Sequence, residues 1–230
     1  MQNQKLWEYL EGYLTEHKKN LFRRVLADRT RHFTVVIEDI YREHNAGALV
    51  RTCDCFGIQD IHIIEQHYSF HVLHNIAKGS ERWLDYHLYQ EENKNNTLDC
   101  IAYLKSQNYQ IVATTPHLNE CLLEDFDIRP KSAFFFGGEK EGLSQEVIKQ
   151  ADVFLKIPVL GFTESFNVSV AAAIILYSLT QKLRQRDDIP WQLTPTEVLD
   201  KKIDWAISSI PHGEKIRNYY FEKIAGQSEF

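Results

Sequence analysis

The chain has 230 residues, 43% of them hydrophobic and 25% charged, and carries a formal net charge of −6. That length buries a substantial core and fits one domain with extensions or two small domains, and the composition is that of a soluble globular protein. The acidic balance argues against a surface that binds nucleic acid everywhere. No apolar run is long enough for a bilayer, and the polar start MQNQKLWEYLEGY reads against a secretory peptide.

In chain order, Leu6, Leu10, Tyr13 and Leu14, then Leu21, Phe22, Val25 and Leu26, recur at helical spacing and predict two short amphipathic helices. The same region concentrates Lys18, Lys19, Arg23, Arg24, Arg29 and Arg31 against Asp28 alone. A basic patch on an acidic protein is either a solvated helix face or a docking face for a polyanion such as RNA. The periodicity then changes. FTVVIED (33–39) and IHIIE (61–65) are β-branched runs that read as buried strands. Between them Asn45 as N-cap and Gly57 as terminator frame a helix over about 46–56, giving a parallel βαβ unit.

The alternation continues with a helix near 97–107, the strands IVATT (111–115) and AFFFGG (133–138), a helix capped by Ser144, and the strand VFLKIP (153–158). A long helix is expected from near Asn167 to about Arg186. Thr194-Pro195-Thr196-Glu197 is a capping box, and Leu199, Ile203, Ala206, Ile207 and Ile210 follow it at helical spacing. The fold class is therefore α/β, a parallel sheet with flanking helices. The expected organisation is a basic helical extension over 1–32, an α/β domain over 33–186 and a C-terminal helical extension over 187–230.

Three clusters lie at the carboxyl ends of strands, where open α/β sheets place their ligands. In HNAGALVRTCDCFG, Arg51 lies about 240° round the helix from Asn45, on a face with Gly47 and Asp54, and pairing with Asp54 is its bland alternative. In FFFGGEKEGLS, Gly137 and Gly142 keep the spacing of a phosphate loop, but Leu143 replaces the lysine that reaches the phosphates. In IPVLGFTESFNVSVAAAIILY, Ser165, Asn167 and Ser169 offer polar groups at one helix entrance, as caps or as a ligand's partners.

Other chemistries lack their residues. There is no G-x-S-x-G elbow, no nicotinamide-binding fingerprint and no histidine spacing for zinc. Cys53-x-Cys55 with Cys100 and Cys121 far away is neither a zinc nor a disulfide pattern, and reads as reduced structural thiols in a cytoplasmic protein.

In this order the three clusters resemble the motifs of the SpoU branch of the SPOUT RNA methyltransferases. Asn45 to Arg51-Thr52 matches N-x-x-x-x-x-R-T, Gly137 to Leu143 matches the glycine–glutamate loop, and Ile157-Pro158, Gly161 and Ser165 to Ala172 match the third motif. Phe166 stands where the family usually has leucine. The likeness covers about 33–186, and the extensions are similar to those of members that methylate a tRNA D-loop guanosine. The resemblance implies a C-terminal deep trefoil knot, a homodimer and no metal. It implies S-adenosylmethionine held by Thr114, Gly137, Ile157 and Phe166, with Asn45, Arg51, Glu139, Ser165 and Asn167 around the reacting groups. It also implies 2′-O-methylation of tRNA, with position 18 favoured over the wobble nucleotide or a ribosomal RNA. A non-catalytic RNA-binding dimer is the alternative of another class, and the full polar set speaks against it.

Overall fold

The computed structural model describes residues 2–71, 74–116, 121–138 and 141–224. They fall into two compact units, residues 30–191 and a unit that joins 1–29 to 192–230.

In the larger unit, β1 (Phe33–Glu38) is buried along its whole length. α3 (Glu43–Cys55), β2 (Asp60–Ile64), the single turn α4 (His74–Ala77) and β3 (Asp85–Tyr89) follow. Next come α5 (Asn96–Ser106), β4 (Gln110–Thr114), the two-residue β5 (Cys121–Leu122), β6 (Ser132–Phe136), α6 (Gln145–Gln150), β7 (Val153–Lys156) and α7 (Val168–Arg184). The strands make one seven-stranded sheet in the order β3-β2-β1-β6-β4-β7-β5. Every pairing in it is parallel.

A parallel sheet with helices on both faces needs strands that are apolar on both sides. The three phenylalanines of β6 show this directly. Phe134 and Phe136 join the core on one side with α3 and α7 residues such as Leu49, Ile175 and Leu179. Phe135 joins the core on the other side with Cys100, Leu104 and Val147 from α5 and α6.

Sequence reasoning missed β3 and the two-residue β5, and with them both edges of the sheet. DYHLY carries one aliphatic side chain among polar and aromatic ones, and Leu88, that aliphatic residue, is among the exposed ones. The helix after β1 starts at Glu43 with Arg42 as its N-cap, so Asn45 is not the cap expected of it. Gly57 does end that helix, at φ 76°, the left-handed geometry that glycine adopts without strain.

The smaller unit is helical. α1 (Gln2–Glu11) buries Leu6, Trp7 and Leu10, and α2 (Glu16–Leu26) buries Phe22 and Leu26. α8 (Pro195–Ser209) opens on the full Thr194–Glu197 capping box and buries Ile203, Trp205 and Ala206. Phe22 meets the Trp205 ring edge-on at 5.5 Å between centroids. α9 (Gly213–Tyr219) follows. Among the described residues no helix is long and apolar enough to cross a membrane.

Candidate active site

β6, β4 and β7 are neighbours in the sheet and run the same way, so their carboxyl ends form one rim. Thr114 closes β4, Gly137 follows β6 and Ile157 follows β7, which brings three distant sequence positions to one edge. The Thr114 hydroxyl donates to the Phe135 carbonyl at 2.6 Å, which ties the end of β4 to β6.

The glycine loop beyond β6 closes on itself. Gly138 and Gly142 form an antiparallel bridge, with the Gly142 N–H donating to the Gly138 carbonyl at 2.9 Å. Gly142 has φ +70°, and a Cβ at Gly137 would lie 2.2 Å from the Gly142 carbonyl oxygen. The turn itself requires both glycines, Gly137 because backbone occupies the space a side chain would need and Gly142 because of its positive φ. Glu139 lies outside the described residues.

Ser144 caps α6, accepting from the Val147 N–H at 3.3 Å. Its position is set by Glu38, a buried carboxylate at the end of β1 that sequence reasoning did not single out. Glu38 accepts from the Ser144 N–H at 2.9 Å, the Ser144 hydroxyl at 2.8 Å and the Thr97 hydroxyl at 2.7 Å. One carboxylate thus ties β1 to the first turns of α5 and α6. Asp39 follows it at φ 49°, and its Oδ1 accepts from the N–H groups of Gln66, His67 and Tyr68 at 2.9, 2.8 and 3.2 Å. The signal in the sequence was an acidic pair directly after a buried apolar run, where a charged residue needs partners.

The first and third motifs meet at Asn45 and Asn167. Asn167 caps α7, its side-chain oxygen accepting from the Ser169 N–H at 2.9 Å and hydroxyl at 2.6 Å. Its amide nitrogen donates to the Asn45 side-chain oxygen at 3.2 Å, across 122 positions. Capping and site-building are therefore done by one side chain. Asn45 is 5% exposed inside the first turn of α3, its side chain turned toward α7 instead of back to its own helix.

Arg51 is exposed further along α3 and, among the described residues, is not held by an ion pair; in particular it does not pair with Asp54. Ser165 is exposed in the segment before α7. Phe166 is 41% exposed there, and Leu160 and Phe162 stand almost fully in solvent at 99% and 110%.

The basic patch divides. Arg23 and Arg24 are exposed on α2, whereas Lys19 pairs with Glu16 at 2.8 Å and Lys18 sits 5.7 Å from the Phe22 ring centre. Two of the expected RNA contacts are overturned. Arg29 is 1% exposed, with its guanidinium 5.4 Å from the Trp205 ring, so it cannot reach a phosphate. Arg31 is spent on the sheet, paired with Asp60 at 2.7 Å and with Asp85. Burial pushes the Asp60 carboxyl up, but the His87 hydrogen bond and the Arg31 charge outweigh it and hold it below the usual carboxylate range. Among the described residues no group of three or more His, Cys, Asp or Glu side chains is placed to hold a metal ion.

The sequence profile of the SpoU rRNA Methylase family matches residues 32–177. A tRNA (guanosine(18)-2′-O)-methyltransferase from Borreliella burgdorferi is 36% identical over 212 residues, covering 92% of each chain. The A. aeolicus TrmH/SpoU tRNA modifying enzyme superposes with a TM-score of 0.75 at 26% identity, covering 85% of this chain and 98% of that one. The SpoU methyltransferase AviRb from Streptomyces viridochromogenes, solved in complex with AdoMet, shares the fold with a TM-score of 0.59 at 21% identity, covering 70% of this chain and 61% of that one.

Proposed function

The chain belongs to the SpoU rRNA methylase family, and from that premise we propose that it methylates the ribose 2′-hydroxyl of the D-loop guanosine, nucleotide 18, of tRNA. The observation that carries this is the 3.2 Å contact between Asn45 and Asn167, which joins the two outer motifs across the sheet's carboxyl rim. The near full-length likeness to a guanosine-18 enzyme supports the target.

The residues present fit S-adenosylmethionine. Three neighbouring strand ends at Thr114, Gly137 and Ile157 offer backbone polar groups on one rim, and the half-exposed Phe166 ring offers apolar surface. When bound, S-adenosylmethionine supplies an electrophilic methyl on sulfonium sulfur. What remains for the protein is to hold the ribose hydroxyl in line and to dispose of one proton, and positioning of that kind lowers a barrier by several kcal/mol. Asn45 and Asn167, locked to each other, supply rigid amide groups for the ribose. Arg51 stays protonated at any ordinary pH, so its role is to clamp the adjacent phosphate and stabilise charge developing on the oxygen, while phosphate or solvent takes the proton. Arg51→Lys keeps the charge and loses the fork; near-full rate in that variant would remove the clamp.

Glu139 and Ser165 complete the proposed catalytic neighbourhood, and the exposed Arg23 and Arg24 are the proposed tRNA contacts. The knotted path of the C-terminal third belongs to the same reading. So does a homodimer, which the solvent-standing Leu160 and Phe162 support, since apolar side chains so exposed mark an interaction surface. A monomer mass by light scattering would remove the dimer. Labelled S-adenosylmethionine and unmodified tRNA test the function, with the label expected on nucleotide 18; no label in any RNA would overturn it.

A further inference from the structure

A cavity of about 700 Å³ opens at the carboxyl ends of β1 and β2, beside the rim just described and distinct from the Thr114–Ile157 edge. Its walls include Tyr41, Arg42, Tyr68, Gly138, Glu141 and Ser144. We infer that this cavity holds the guanine base of the target nucleotide, with Tyr41 and Tyr68 as its stacking platform and Glu141 as the acceptor that reads the base. The inference rests on the proposed methylation of a tRNA guanosine and adds the residues that choose the base.

The size suits one nucleoside, within the range of small-molecule sites. Tyr41 is 67% exposed and Tyr68 40%, and their rings meet at 5.2 Å and 66°. An edge-to-face pair covers one face of one ring and leaves the other faces clear of the partner, and aromatic faces open to solvent are what single-stranded RNA-binding sites use to stack splayed bases. The mouth is built in advance. Asp39, held in the left-handed region, uses one carboxylate oxygen to fix the N–H groups of residues 66–68, which sets Tyr68 in place.

The chemistry of the walls selects the base over the backbone. Both Glu38 oxygens are already engaged by Ser144 and Thr97, and Asp39 Oδ1 by three N–H donors. Glu141 is exposed on the turn at the cavity edge. Glu38, Asp39, Glu141 and Glu146 line the cavity against the single guanidinium of Arg42, so the balance of charge disfavours phosphate. It suits N–H donors, and guanine presents two side by side, N1–H and the exocyclic amine, whereas adenine presents an acceptor next to its amine. The position also fits. Gly138 lines the cavity while its neighbour Gly137 stands on the rim, and Arg42 lines it while capping the helix that carries Asn45. A base seated here has its ribose toward the Asn45–Asn167 pair.

The test combines binding and kinetics. Free guanosine, titrated against the wild type by saturation-transfer NMR, is expected to bind, to lose binding in Tyr41→Ala and Tyr68→Ala, and not to be displaced by S-adenosylmethionine. In methyl transfer to tRNA transcripts, the two tyrosine variants are expected to raise KM for tRNA about tenfold, with S-adenosylmethionine affinity unchanged by calorimetry. Inosine at the target lacks the exocyclic amine. The wild type is expected to prefer guanosine over inosine by about tenfold or more, and Glu141→Gln to bring that ratio near one. Unchanged KM and unchanged base preference in an active enzyme would overturn the inference and leave the methylation reading standing, as would displacement of guanosine by S-adenosylmethionine. A wild type that methylates no RNA would end the methylation reading, and the guanosine titration would then decide the cavity alone.

Discussion

Replacing Glu38 by glutamine is expected to destabilise the sheet-containing unit, although the change is one atom and keeps the shape. Glu38 is 2% exposed and accepts three hydrogen bonds, two from hydroxyls and one from the Ser144 backbone N–H. The hydroxyls of Thr97 and Ser144 can rotate and adapt to an amide; a backbone N–H cannot. The variant therefore keeps its amide oxygen on the Ser144 N–H and turns its nitrogen to the two hydroxyls, which must accept instead of donate. Three charge-assisted bonds become neutral ones and the two hydroxyl hydrogens lose their acceptor, a cost of about 1.5–3 kcal/mol. For a unit of this size each kcal/mol moves the melting temperature by roughly 2–4 °C, so calorimetry is expected to show a fall of roughly 3–12 °C. Because Ser144 caps α6 and lines the base cavity, KM for tRNA is expected to rise as well. A melting temperature within about 1 °C of wild type would refute the view that this carboxylate ties β1 to the two helices.

Asn167→Ala removes both the cap of α7 and the contact with Asn45; we expect a loss of about 1 kcal/mol by chemical denaturation, from the cap, with methyl transfer falling far more than stability does. Arg23→Ala with Arg24→Ala is expected to weaken tRNA binding and lower its salt dependence while sparing S-adenosylmethionine affinity, measured across a salt series. Arg29→Ala is expected to do the opposite, lowering the melting temperature by uncovering Trp205 while leaving the salt slope of tRNA binding unchanged. Stability is expected to fall on acidification. His62 is buried, and burial, helped by the charge of His87, lowers its pKa to about 3. The unfolded chain takes up that proton near the ordinary histidine value of about 6.5, so the contribution is complete above that pH and is lost as pH falls toward 3. At pH 5 the loss is about 2 kcal/mol by the same linkage. His62→Phe should flatten this part of the pH–stability curve, and an unchanged curve would show that another group governs it.

The local order of this protein was written in its side chains. The runs FTVVIED, IVATT and AFFFGG became the buried strands β1, β4 and β6, because β-branched and aromatic residues with no polar alternation suit only a sheet covered on both faces. Thr194-Pro195-Thr196-Glu197 opened α8 as read, since a capping box is satisfied within four residues. The three motifs were legible for the same reason, each being a short segment whose residue types and spacing carry meaning alone. Long-range pairing decided the rest. DYHLY did not announce a strand because β3 lies at the sheet edge and draws its stability from β2. The sequence marked Asn45 as a cap and Arg29 as an RNA contact. Only the packing of α3 against α7, and of α2 against α8, turned one toward Asn167 and buried the other under Trp205. Likewise the pair of acids at the end of β1 became the bracket of the site once β6 was inserted between β1 and β4. Residue type determines which groups are available, but partners more than a hundred positions away are chosen by how strands order themselves in the sheet, and no local pattern records that order.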